Sequence, residues 1–325
     1  MIIKTGLISR VAFTMAGNDI YWYAILIVSA IVIGIIWSRL KSGRYNIKFD
    51  TILDLSIFMI PTAILCARAY YIIFNLNYYI SNPSEILDFR NGGLAIYGGI
   101  IGAVATIIVF CKIKKISILN LTDYIAPIIP LGQAIGRWGN YINIEAYGTE
   151  TNLPLKMEII ENGITKYVHP TFLYESVGNF ILFLILLKIS KKRNFSGQIT
   201  LLYFIGYAFI RFFIEGLRTD SLMMGNIRAS QLLSLIIFIA CTLIYIIFAK
   251  KQKKQTISTK KGDGPWNKNQ GPSPFYKISL HILVDKNAKN VIFCRTKNDW
   301  KHSKIGSFVD YYNFICYPKY SIYIK

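Results

Sequence analysis

The first 250 residues fall into apolar blocks of bilayer length, set apart by short polar loops. About 20 apolar residues are enough for one helix to cross a hydrocarbon core. The pattern predicts seven such helices: Ile20–Ser38, Ile52–Phe74, Leu94–Phe110, Leu119–Ile135, Thr171–Ile189, Ile199–Phe213 and Leu232–Phe248. Asp54 and Arg68 interrupt the second. Small residues (Gly98, Gly99, Gly102, Ala103, Ala105) crowd the third, which suits close helix–helix approach. Pro127 and Pro130 predict that the fourth is kinked or broken.

The loops alternate in charge. Arg39, Lys41, Arg44 and Lys48 follow the first span, Lys112, Lys114 and Lys115 the third. Lys188, Lys191, Lys192 and Arg193 follow the fifth, and Lys250, Lys251, Lys253 and Lys254 the seventh. The intervening loops are poorer, with Arg90 beside Glu85 and Asp88 after the second span. Lys and Arg accumulate in cytoplasmic loops. The expected architecture is therefore an all-α, polytopic membrane protein, with the N-terminus outside and the C-terminus cytoplasmic. Residues 1–250 form the membrane domain. Residues 251–325 form a basic extension, either disordered or a small β module, with β-leaning runs at Lys277–Val284 and Val291–Arg295.

Composition agrees. The chain is 53% hydrophobic and 17% charged, with a mean hydropathy of +0.40. Soluble domains carry about 25% charged residues, so an ordinary soluble fold is excluded. The net charge of +20 is accounted for by the basic loops, and no nucleic-acid partner is expected. Met1–Arg10 lacks the apolar run and the cleavage site expected of a signal peptide. The five cysteines are odd in number and are not spaced like zinc ligands. No metal and no cofactor is expected.

Four clusters could carry chemistry. Gly92–Gly102 sets Tyr97 between two pairs of glycines. Gly136–Gly148, reading GRWGNYINIEAYG, puts Arg137 between Gly136 and Gly139, with Asn140, Asn143 and Glu145 close behind. A planar guanidinium with that much room suits a bidentate anion such as phosphate. Glu145 is expected to neutralise Arg137 when no anion is bound. Asp123, near the start of the fourth span, is read either as functional or as a cap or an arginine's partner. His169 opens the fifth span before Pro170, with Glu175 two turns in, and histidine is the natural proton carrier near neutral pH. In the sixth span Tyr207, Arg211, Glu215 and Arg218 share one helical face opposite Phe and Ile. Ionisable groups inside a membrane are functional candidates. The ligand these clusters fit is a phospholipid headgroup. Serine-hydrolase elbows, zinc-protease motifs and P-loops are missing from the sequence.

These segments resemble the prolipoprotein diacylglyceryl transferases of bacterial membranes. The resemblance spans about residues 19–250. It rests on WYA at 22–24, GGLAIYGGIIG at 92–102, DYIAPIIPLGQAIGRWGNYINIEAYG at 123–148, HPTFLYE at 169–175 and GYAFIRFFIEGLR at 206–218. It implies a seven-span protein of the bacterial cell membrane with its site on the outer side. It implies transfer of the diacylglyceryl group of phosphatidylglycerol to the lipobox cysteine of a lipoprotein precursor, with glycerol 1-phosphate leaving and no cofactor. The family's key residues fall on Tyr23, Arg137, Asn140, Glu145, Gly148, His169, Tyr207, Arg211 and Glu215. Two positions depart from the family pattern. Many members carry His where Tyr97 stands, and Asn143-Ile144-Glu145 replaces the usual Asn-Gly-Glu. A neutral phenol is a poor base at neutral pH. Tyr97 is therefore either tuned by a nearby Arg or used for binding.

The expected chemistry gives phosphate binding to Arg137 and Arg211, orientation to Asn140 and Glu145, and the thiol proton to His169 or Tyr97. A positive field from the two arginines is expected to favour the thiolate. A transporter or flippase for an anionic lipid is the alternative reading.

Overall fold

A computed structural model describes residues 1–261 apart from 7, 90, 91, 221, 222, 225 and 226, together with 282–284 and 291–293. Side chains are described to residue 253 only, with those of 224 and 227 left aside. The chain divides into two units, Met1–Gly262 and Asp263–Lys325.

Six helices of the first unit are long and apolar enough to cross a membrane. They are α1 (Trp22–Leu40), α2 (Phe49–Phe74), α4 (Ile96–Lys114), α7 (Thr171–Ser190), α8 (Gln198–Leu217) and α9 (Ala229–Lys261). A short α3 (Leu76–Ser81) follows α2. Each of the six coincides with an expected span. Apolar side chains such as Phe58, Ile101, Phe209 and Ile236 stay exposed along them, as a lipid-facing surface requires.

The expected fourth span is not one helix. It is two short ones, α5 (Ile118–Ile125) and α6 (Ile128–Asn143), parted at Pro127. Proline has no N–H to give the preceding turn, so the ladder breaks there. Both helices are strongly amphipathic in sequence, with polar positions turned toward neighbouring helices.

The fold is not purely α. Strand β1 (Ile2–Lys4) pairs in parallel with β4 (Lys156–Glu161), which pairs antiparallel with β5 (Ile164–Val168). Strands β2 (Val11–Met15) and β3 (Asn18–Tyr21) form a hairpin leading into α1. Strands β6 (Met223–Met224) and β7 (Ile227–Arg228) form another between α8 and α9. Backbone leaving a membrane must find hydrogen bonds of its own, and these short sheets supply them. Around the three-stranded sheet Met157, Ile159, Val168 and Phe172 form a small apolar core.

The contacts sort the loops onto two sides. On one, β1 meets β4, the Tyr141 hydroxyl at the end of α6 donates to Lys4 O, and Thr149 N donates to Leu217 O. On the other, Arg44 reaches Ser190 Oγ, Arg193 reaches Asp123, and Phe195 stacks on Phe248 of α9. The N-terminus, residues 144–170 and the end of α8 therefore share one side. The basic loops after α1 and α7 share the opposite one.

The glycines at 98 and 102 serve helix packing. A Cβ on Gly98 would lie 2.4 Å from Cys66 O, and one on Gly102 2.7 Å from Cys66 Cβ. Arg68, buried in α2, donates to the carbonyls of Glu85, Ile86, Gly92 and Gly93 and so ties down the loop before α4. Of the two β-leaning runs in the tail, Ile282–Val284 and Val291–Phe293 pair antiparallel as β8 and β9. Residues 251–261 of that extension continue α9, so the expected boundary at 250 falls inside a helix, and the remainder lies outside the described residues.

Candidate active site

Helices α6, α7 and α8 pack side by side and bring their polar positions to one level. Arg137 of α6 and Arg211 of α8 converge on one carboxylate, Glu175 of α7. Arg137 Nη2 lies 2.8 Å from Glu175 Oε1, and Arg211 Nη1 lies 3.2 Å from Glu175 Oε2. Arg211 also pairs through Nη2 with Glu215, one turn along its own helix. Glu175 is 1% exposed, while the Arg137 and Arg211 side chains keep 21% and 16% of their surface. The guanidiniums thus remain reachable and the carboxylate beneath them does not. Tyr207 faces the same group, in the field of Glu175, Arg211 and Arg137.

The segment after Arg137 braces it. Arg137 Nη1 donates to Asn140 Oδ1 at 3.0 Å, and Asn140 Nδ2 donates to Glu145 Oε1 at 2.8 Å. Asn143 Nδ2 donates to the same oxygen at 3.4 Å. Glu145 therefore reaches Arg137 through Asn140. The direct neutralising partner is Glu175, which corrects the expectation for Glu145. The reason is geometric: α6 ends at Asn143, and Ile144 turns the chain away with φ +56°. Ile144 takes this left-handed conformation without the glycine usual for it, and its side chain joins the Met157–Phe172 core.

Close backbone approach fixes the surroundings. Tyr23, at the start of α1, lays its ring on Gly139, where a Cβ would come within 2.2 Å of it. Gly148 donates its N–H to His169 O and bridges to Arg218. A Cβ there would meet His169 Cβ at 2.7 Å, Thr171 Cγ2 at 3.0 Å and Leu217 O at 3.1 Å. Gly148 thus stitches the α6–β4 connection to the starts and ends of α7 and α8. His169 Nδ1 is buried without a hydrogen-bond partner.

Two further expected site residues stand at helix ends, and Arg218 lies in the field of Glu215 and Glu175. Arg218, just past α8, gives a bidentate pair to Asp220, Nε to Oδ1 at 2.8 Å and Nη2 to Oδ2 at 2.6 Å. That hydrogen bond, against the opposing effect of burial, holds the Asp220 carboxyl below its usual range. Tyr97 stands in the first turn of α4, 53% exposed, and α4 packs along α2.

Asp123 has no place in this site. It is fully buried at the opposite end, taking Arg193 at 3.0 Å, Gly197 N at 2.7 Å, and Thr200 N and Oγ1 at 2.9 and 2.8 Å. It caps the start of α8. Sequence reasoning missed Glu175 as the centre of the cluster and noted it only as a neighbour of His169. Its signal was available, because an acid in an apolar span needs a cation and Arg137 and Arg211 are the two that face it.

An apolar groove of about 300 Å³ opens between α1, α2 and α6. Ile31, Gly34, Ile60, Ile128 and Gly132 line it, and it ends at Gly136. Among the described residues no three His, Cys, Asp or Glu side chains gather as metal ligands.

A family model for prolipoprotein diacylglyceryl transferase matches residues 10–247. A protein of Finegoldia magna is 52% identical over 251 residues, covering 77% of this chain and 98% of its own. One of Clostridioides difficile is 46% identical over 244 residues, covering 75% and 97%. One of Clostridium novyi is 46% identical over 252 residues, covering 76% and 98%. All three are named phosphatidylglycerol–prolipoprotein diacylglyceryl transferase.

Proposed function

The chain belongs to the prolipoprotein diacylglyceryl transferase family, and on that premise we propose that it moves the diacylglyceryl group of phosphatidylglycerol onto the lipobox cysteine thiol of prolipoproteins. The relatives' names favour a transferase over a transporter or flippase for an anionic lipid. We place it in the bacterial cell membrane with seven crossings, the α5–α6 pair making the fourth. The side that carries the short sheets faces outward and the side with the basic loops faces the cytoplasm.

One observation supports this reading above the others: two guanidiniums from separate helices meet at one level, and α6, which carries Arg137, also walls an apolar groove that reaches Gly136. A phosphodiester needs the first and its acyl chain the second. Arg137 and Arg211 hold the phosphate. The sulfur attacks the glyceryl carbon, the C–O bond to phosphate breaks, and glycerol 1-phosphate departs with growing charge. Fixed donors help most where charge develops. The four-residue cluster carries two cations and two carboxylates. Its field is thus weaker than two free arginines would give, and the thiol needs a separate proton acceptor.

His169 suits that role better than Tyr97. It lies just past β5, where Gly148 and Thr149 pair with its backbone and Thr149 N donates to Leu217 O at the end of α8, whereas Tyr97 stands on the α2–α4 pair. Asn140, Asn143 and Glu145 orient Arg137. Tyr23, Tyr207, Gly148 and Arg218 shape the walls. The test is purified protein with phosphatidylglycerol and a lipobox peptide. A thioether-linked diacylglyceryl peptide is expected, with its loss in a Cys→Ser peptide. Lipid movement between leaflets without peptide labelling would favour the flippase.

A further inference from the structure

Before lipid arrives, the arginine pair already holds an anion. Glu175 places one oxygen on Arg137 and the other on Arg211, at 2.8 and 3.2 Å. Two oxygens of one phosphate would bridge the same two guanidiniums in the same way. Glu175 is not the arginines' only brace. Asn140 already fixes Arg137 through Nη1, and Glu215 already fixes Arg211 through Nη2.

The charge count sharpens the point. Arg137 and Arg211 against Glu175 and Glu215 sum to zero formal charge. The lipid phosphate brings one negative charge, and the phosphomonoester that leaves carries about −1.5 to −2. Two guanidiniums without a counter-charge would therefore grip the product harder than the substrate. Release would then limit turnover, as it does in many enzymes.

We propose that Glu175 is a resident competitor for the phosphate seat, a positioning residue acting through Arg137 and Arg211. It keeps the two guanidiniums at a bridging distance, gives up part of them to the lipid phosphate, and takes them back to drive the phosphate-bearing product out. The proposal rests on the transferase reading above. It adds a step which that reading does not contain.

The experiment uses the full chain in phosphatidylglycerol-containing nanodiscs, with a cysteine peptide as acceptor. Inhibition constants are measured for glycerol 1-phosphate and for inorganic phosphate, with KM for the lipid and kcat. Glu175→Gln removes the competing charge and nearly preserves the shape. Its inhibition constants are expected to fall about tenfold for both anions, with lower KM and lower kcat. Glu175→Asp keeps the charge but shortens its reach, so a fall of about threefold is expected. It carries the test alone if the Gln variant fails to fold. Unchanged or raised inhibition constants in the variant that folds would overturn the proposal, because a mere brace loses anion affinity when removed. Wild-type labelling of the peptide is the control. If it is missing, the transferase reading fails, and the anion affinities can still be compared by direct binding.

Discussion

Asp123 and Glu175 are both buried carboxylates facing arginine, at opposite ends of one helical bundle, and they differ in what completes their hydrogen bonding. Asp123 takes two backbone N–H groups and a hydroxyl besides Arg193. Its oxygens are fully used by groups that the fold itself supplies. Glu175 takes guanidiniums alone, and each of these keeps part of its surface open. A charge satisfied by backbone holds a structure together. A charge satisfied by other charges, with their far faces exposed, can exchange partners. The same residue types therefore read as structure at one end and as chemistry at the other.

The largest effects should come from the open end. Arg137→Ala or Arg211→Ala removes one of two donors to the leaving phosphate, and peptide labelling should fall about 10²–10³-fold. The thermal midpoint should move much less than the rate, because Glu175 retains its other arginine. If either variant labels the peptide at the wild-type rate, the contrast between the two ends is lost.

The closed end should show the reverse. Asp123→Ala strands Arg193 and strips the start of α8 of its cap. Breaking a buried pair costs about 3–5 kcal/mol, so yield and thermal midpoint should drop sharply. Activity per folded molecule should stay near wild type. A folded Asp123→Ala protein of normal stability and poor activity would mean that this end also takes part in chemistry.

Gly148→Ala tests whether the site depends on backbone approach. The new methyl would press on His169, Thr171 and the Leu217 carbonyl, and none of these is the far end of a flexible side chain. The connection must shift, and a shift of about 1 Å at a reacting centre costs roughly 10²-fold. Steady-state kinetics should show the loss mainly in kcat.

The sequence was most legible where physics is local. Six apolar blocks became six helices, and Pro127 broke the remaining one, the fourth, where proline must. Arg211 was visible as a charge inside an apolar block, and Arg137 as a charge at the end of another. Partners joined across long stretches of chain were not. Arg137 meets Glu175 across an intervening sheet, and β1 finds β4 some 150 residues away. No local period records such a pairing. Asp123 was ambiguous for the same reason, since the N–H groups it caps belong to another helix.

A third carboxylate sets the scale between the two ends. Asp220 is half-exposed and paired bidentately with Arg218. Arg218 holds its carboxyl below the usual range, chiefly by hydrogen bonding. A carboxylate held low in the folded protein adds stability that is full above its unfolded value, near 4. That stability disappears as pH falls through the lowered value. Solvent screening at a half-exposed pair limits it to below about 1 kcal/mol. Asp220→Asn should therefore lower the thermal midpoint slightly at pH 7, and the gap from wild type should close toward pH 3. Melting curves across that range read the difference directly. A gap as wide at pH 3 as at pH 7 would show that Asp220 acts through packing, leaving Arg218 free to serve the site without it.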